Sequence, residues 1–136
     1  KNKSSSKRRD GADVFDFSDE DFEYQDVYFG GRNFAGQEIV RDKQTQVVLW
    51  TMVYYGGIID KDVTEDLIYD SYLKKCLLEP DEIPARGIPK NLDNETRYEN
   101  RHIGTGNDIK KFRGHEWIAI KGKTVYELFY IGGLIN

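Results

Sequence analysis

Trp50-Thr51-Met52-Val53-Tyr54-Tyr55-Gly56-Gly57-Ile58-Ile59-Asp60 is echoed further along the chain by Tyr126-Glu127-Leu128-Phe129-Tyr130-Ile131-Gly132-Gly133-Leu134-Ile135-Asn136. Two shorter blocks recur ahead of these in the same order. Tyr24-Gln25-Asp26-Val27-Tyr28-Phe29-Gly30 matches Tyr98-Glu99-Asn100-Arg101-His102-Ile103-Gly104, and Phe34-Ala35-Gly36-Gln37-Glu38 matches Phe112-Arg113-Gly114-His115-Glu116. The blocks persist while the lengths between them change, as expected of one unit used twice with tolerant surface loops. The run Phe22 to Phe29 is rich in aromatic and β-branched residues and is stopped by Gly30-Gly31, the composition of a strand. The expectation is therefore an α+β domain: an internally duplicated antiparallel sheet of two three-stranded meanders, about six strands in all, with one main helix.

The meanders are placed at 22–60 and 96–136 of the 136-residue chain, and both are too small to bury a sufficient core alone, so they should share one. Within Val47 to Tyr55 both alternating sets are apolar, Val47, Leu49, Val53 and Tyr55 against Val48, Trp50, Met52 and Tyr54. Such a strand is expected to be covered on both faces. The glycine pairs Gly30-Gly31, Gly56-Gly57 and Gly132-Gly133 read as strand terminators. After the first meander, Leu67, Ile68, Tyr72, Leu73, Cys76 and Leu77 fall at helical spacing. They predict a helix over 62–79, with Asp62 as N-cap and Glu65 completing a box-like start. Pro80 stops it, and a Pro-containing linker, 80–95, leads to the second meander.

The net charge of −4 is unevenly laid out. Lys1, Lys3, Lys7, Arg8 and Arg9 make a basic head; Asp10, Asp13, Asp16, Asp19, Glu20, Asp21, Glu23 and Asp26 follow without a base, leaving the remainder near neutral. Residues 1–21 read as a disordered charged arm. A near-neutral folded part lacks the basic face that a phosphate backbone requires, so nucleic acid is not the expected partner. No apolar stretch approaches a membrane span, the one cysteine, Cys76, excludes an internal disulfide, and the cytoplasm is the expected compartment. No Cys/His cluster has zinc spacing, and no glycine pair has the context of a phosphate loop, so no metal or cofactor is expected.

Tyr28 to Glu38, Trp50 to Gly56, Arg86-Gly87, Phe112 to Glu116, Val125-Tyr126-Glu127 and Tyr130 to Gly133 together resemble a small bacterial domain family of unknown function. Its members occur alone or C-terminal to XRE-type helix-turn-helix domains. The sequence departs from the family pattern where a proline would directly follow Arg-Gly, since Ile88 intervenes before Pro89. The resemblance implies no reaction; it implies a sensing or interaction role beside a regulator, with no helix-turn-helix preceding the domain here.

Two functional readings follow. In the first, a non-catalytic binding or sensor domain, Tyr28, Trp50, Tyr54, Tyr126 and Tyr130 offer flat surfaces for a small molecule, and Arg32 and Arg86 offer guanidinium groups for an anionic part of it. Arg86, between Pro84 and Pro89, has the competing reading of an internal ion pair that ties the linker to the sheet. In the second, a small acid–base enzyme, Glu38 and Glu116 meet at the axis between the meanders and Arg86 holds an anionic substrate. His115 beside Glu116 is not a dyad, because neighbours on a strand point to opposite faces. The second meander stops at Asn136 without the helix that follows the first. The face around Trp117, Phe129 and Ile131 then needs a cover, either a second copy in a homodimer or the arm folded back.

Overall fold

The computed structural model describes residues 2–78 and 86–135. Among these, nine strands form one antiparallel sheet: β1 (Asn2–Lys7), β2 (Asp13–Ser18), β3 (Phe22–Gly30), β4 (Asn33–Asp42), β5 (Val48–Ile58), β6 (Lys90–Asn91), β7 (Thr96–His102), β8 (Lys111–Ile120) and β9 (Lys123–Leu134). Their order is β1-β2-β3-β4-β5-β9-β8-β7-β6. The protein is thus mostly β, and the expected α+β class with about six strands is corrected. The six expected strands are present as β3–β5 and β7–β9. The charged arm supplies two more, pairing onto β3 from Asp13↔Tyr28 to Ser18↔Glu23, and the linker supplies β6. The arm was misread because its polar composition describes average solvation, whereas an edge hairpin is held by backbone pairing and a few contacts. Ala12 and Val14 are buried, and Phe15 meets Tyr24 edge-on.

The one helix among the described residues, α1, is a π-helical stretch, Asp66–Leu73, that runs into an α-helical turn, Lys74–Leu77. It starts later than expected. Asp62 lies in a turn, its own N–H donating to Asp60, and the Thr64 hydroxyl accepts from the Leu67 N–H at 3.2 Å. The expected helix end at 79 and the linker through Ala85 fall outside the described residues.

Two of the glycine pairs also need correction. Gly56-Gly57 and Gly132-Gly133 do not end strands; they lie inside β5 and β9. A Cβ at Gly56 would run into the backbone of Glu127 and Leu128, and one at Gly132 into Thr51 and Met52, so these glycines serve close approach of the two strands. Gly30, at φ 103°, does make a turn, between β3 and β4.

The inner face of the sheet carries the core. Trp50, Met52, Tyr54 and Ile58 of β5, Tyr126, Leu128 and Tyr130 of β9, Phe112 and Ile118 of β8 and Tyr98 of β7 pack with Ile68, Leu73 and Cys76 of α1. The ladder irregularities fall between Val40 and Arg41 in β4 and between Ile118 and Ala119 in β8. Bulges of this kind bend a sheet and deepen the face that receives the helix. The outer face is not covered. Val53 lies opposite Ile131 and Tyr55 opposite Phe129, and all four are exposed. The expected double cover of the Val47 to Tyr55 strand is therefore absent within the described chain. Trp117 is half-buried, with Arg101 5.4 Å above its ring and His115 stacked on it at 4.8 Å. The arm extends the sheet past β3 instead of folding over this face.

Candidate functional site

Gly36 and Gly114 organise the inner face. Gly36 lies between Tyr28 of β3 and Tyr54 of β5. A Cβ there would fall within the Tyr54 ring, so the phenol can lie across β4, and its hydroxyl donates to Asp26 of β3 at 2.6 Å. Strands stand about 4.8 Å apart, and only a bare strand between the two partners lets a tyrosine span that gap. Gly114 stands in the same relation to His102 of β7 and Tyr130 of β9, and the Tyr130 hydroxyl donates to Asn100 at 2.6 Å. Tyr54 and Tyr130 are themselves opposite one another in the central strand pair.

Two residues beyond each glycine comes a glutamate on the same face. Glu116 is wholly buried, and both its oxygens are occupied. The Arg86 guanidinium donates to it twice, Nε to Oε2 at 2.7 Å and Nη2 to Oε1 at 2.8 Å. Tyr126 donates to Oε1 at 2.8 Å, and Tyr98 donates to Oε2. Burial would lower the Arg86 pKa, but the carboxylate of Glu116, then Tyr126, hold it well above its ordinary value. Burial, and after it Glu116, push both tyrosine hydroxyls up, so they keep their protons and donate them to the carboxylate. The backbone of Gly87 closes this network, its N–H donating to Tyr98 Oη and its carbonyl accepting from Asn100, both at 3.0 Å.

Glu38 is placed otherwise. It lies directly opposite Asp26, so two carboxyl groups neighbour one another on the inner face. Tyr24 donates to Glu38 Oε1 at 2.6 Å. Burial is the main reason that the Glu38 carboxyl is pushed up to about 7; the Tyr24 hydrogen bond and Arg86 pull it down, and Asp26 and Glu116 add to the rise. Burial likewise raises Asp26, against the hydrogen bond from Tyr54 and the charge of Arg86.

A cavity of about 440 Å³ opens between β2–β5 and α1. Tyr28, Phe34, Tyr54 and Tyr69 supply aromatic wall, and Asp13, Asp26, Glu65 and Arg86 supply charge. Phe34 meets Tyr54 and Tyr69 edge-on at 5.9 and 5.8 Å, which fixes these rings relative to one another. Among the described residues no group of three His, Cys, Asp or Glu side chains is arranged to hold a metal ion, and no helix is long and apolar enough to cross a membrane.

The structure brings together three of the residues singled out as a binding surface: Tyr28, Tyr54 and Arg86 all line the cavity. The other four lie elsewhere. Arg32 donates to the carbonyls of Val63 and Asp60 at 2.7 and 2.8 Å and so anchors the loop before α1. Trp50 is stacked on Phe112 and donates to the Ile109 carbonyl. Tyr126 and Tyr130 belong to the buried network. Arg86 is engaged in an internal ion pair, the competing reading of it. Glu38 and Glu116 share a face but have separate partners, and neither lines the cavity, so they do not form the cleft that acid–base chemistry needs. The residues missed were Asp26, to which Tyr54 donates, together with Tyr24, Asp13, Glu65 and Tyr69. For the first, register decides: Gly36 lies bare between β3 and β5, and the Tyr54 hydroxyl reaches Asp26 across it.

Residues 26–135 match a family described as a domain of unknown function, DUF5680. No curated protein and no solved structure matches the chain.

Proposed function

The chain belongs to the DUF5680 family, and we propose that it is a non-catalytic binding or sensor domain whose small-molecule site is the cavity beneath α1. The observation that carries this reading is the cavity itself. Its walls are aromatic, its charged groups are few, and one of them, Asp26, is held in place by Tyr54. Pockets of such size and composition are where small ligands bury most of their surface. Among the described residues that line it there is no Ser, Thr, Cys, His or Lys, which supports binding without turnover. The bacterial cytoplasm and an XRE-type helix-turn-helix partner are the setting implied by the resemblance, and they form part of this proposal, as does self-association through the outer face.

Thermal-shift screening against a metabolite library tests the proposal. A ligand present at about a hundred times its Kd stabilises by about 2.7 kcal/mol, which raises Tm by roughly 10 °C in a domain of this size. Tyr28→Ala, which removes wall from a half-buried position, should abolish the shift when each protein is read against its own ligand-free Tm. A library that produces no Tyr28-dependent shift refutes the cavity as a ligand site.

A further inference from the structure

Resting on the cavity reading, we infer that the ligand is a small organic cation, an amine or guanidine carried on an apolar or aromatic body, with its charged end at Asp26. The argument comes from corresponding positions in the two three-strand units. In β7–β9, Glu116 takes a tyrosine hydroxyl from β7, Asn100 takes one from β9, and a guanidinium from the linker sits on the carboxylate. In β3–β5, Glu38 takes a tyrosine hydroxyl from β3 and Asp26 takes one from β5. The second arrangement differs in two ways. Asp26 stands where the other unit has the neutral Asn100, and among the described residues no ion pair is made to Asp26 or Glu38. The unit with the additional carboxyl is the one that opens to the cavity.

Arg86 on Glu116 shows that a carboxylate fed by tyrosine hydroxyls takes a guanidinium here. The counterpart of Glu116 is Glu38, directly opposite Asp26, and of those two carboxyl groups Asp26 is the one that lines the cavity. A guanidinium or ammonium entering the cavity finds Asp26 as counter-ion and the faces of Tyr28, Phe34, Tyr54 and Tyr69 for cation–π contact and for its apolar body. Asp13, which also contacts Lys7 at 3.1 Å, and Glu65 add negative potential to the lining. Among the described lining residues Arg86 is the one base, and two of its nitrogens are committed to Glu116. An anion would meet three carboxyl groups; a cation is drawn to them.

The test uses four probes that share one body and differ in charge: 2-phenylethylamine, 2-phenylethylguanidine, 2-phenylethanol and 3-phenylpropionate. Binding to the full chain is followed by thermal shift and isothermal calorimetry. The amine and the guanidine should bind and the alcohol and carboxylate should not. Asp26→Asn, which installs the residue found at Asn100 and keeps an acceptor for Tyr54, should weaken the cations roughly tenfold or more. Cation binding unaffected by Asp26→Asn overturns the inference. Stronger binding of the alcohol or the carboxylate, with dependence on Tyr28, overturns it but leaves the cavity reading standing. If none of the four binds, the charge of the metabolite-screen hit decides the matter. If that screen is also empty, both readings fall.

Discussion

Replacing Arg86 by Met tests whether the buried ion pair ties the chain segment after α1 to the sheet. The side chain of Arg86 is 9% exposed and that of Glu116 is fully buried. The substitution deletes two charge-assisted hydrogen bonds, 2.7 and 2.8 Å long, while leaving Tyr98 and Tyr126 donating to the stranded carboxylate. Hydrogen bonds to charged groups contribute about 1.5–3 kcal/mol each, and breaking a buried pair from one side costs about 3–5 kcal/mol. With the two tyrosines still in place, a loss of about 4 kcal/mol at pH 7.5 is expected. Urea unfolding followed by the fluorescence of Trp50 and Trp117 measures it. A loss below about 1 kcal/mol with an unchanged m-value would refute the claim that this pair is desolvated and structurally required.

Gly36→Ala should destabilise by about 1–3 kcal/mol, because the added methyl group displaces the Tyr54 ring from its path to Asp26; in a Tyr54→Ala background, where that ring is gone, the same change should cost less, and strict additivity in the double mutant would show that the two are not coupled. Glu38 is pushed up to about 7 from 4.5. The stability given by its protonation is fully present below about 4.5 and is lost as the pH rises through about 7, amounting to roughly 2–3 kcal/mol. Glu38→Gln should therefore flatten the stability profile between pH 5 and 7.5, and an unaltered profile counts against the shift. The outer strip of Val53, Tyr55, Phe129 and Ile131 is expected to pair with the same strip of a second copy. Light scattering at high micromolar concentration should show dimers that Ile131→Lys separates, and a monomeric wild type sinks this expectation.

The strands that carry glutamates and tyrosines were legible because aromatic and β-branched residues are dense in them and the Phe-x-Gly-x-Glu block occurs twice. Their charges were harder to read. Asp26 stood out only as one acid in a run of eight, and its role depends on Tyr54 crossing an intervening strand, a relation set by register and invisible in linear spacing. Arg86 was singled out for its stiff surroundings, but its partner lies thirty positions away on β8. Tyr28 and Tyr54 were found as aromatic surface, yet Tyr126, Tyr130 and Trp50 have the same residue character and do not line the cavity; the difference lies in where register places each ring relative to α1. The arm was misjudged for a related reason. Alternating polar residues such as those of Asn2–Lys7 can complete a ladder whenever an edge is available, and the sequence of an edge strand does not need to be apolar.

The order of the strands also bears on how the chain is made. β9 joins the two halves of the sheet and lies at its centre, yet it is the last of the described strands to leave the ribosome. From the moment Ile58 emerges until Lys123 follows it, β5 has a partner on one side only, and its other edge, flanked by Trp50, Met52, Val53 and Tyr55, is unpaired. A nascent chain paused in that interval presents an apolar strand edge to its neighbours on the polysome, where pairing between chains competes with folding. Slowing translation between these positions should therefore reduce soluble yield more than the same delay placed ahead of β5.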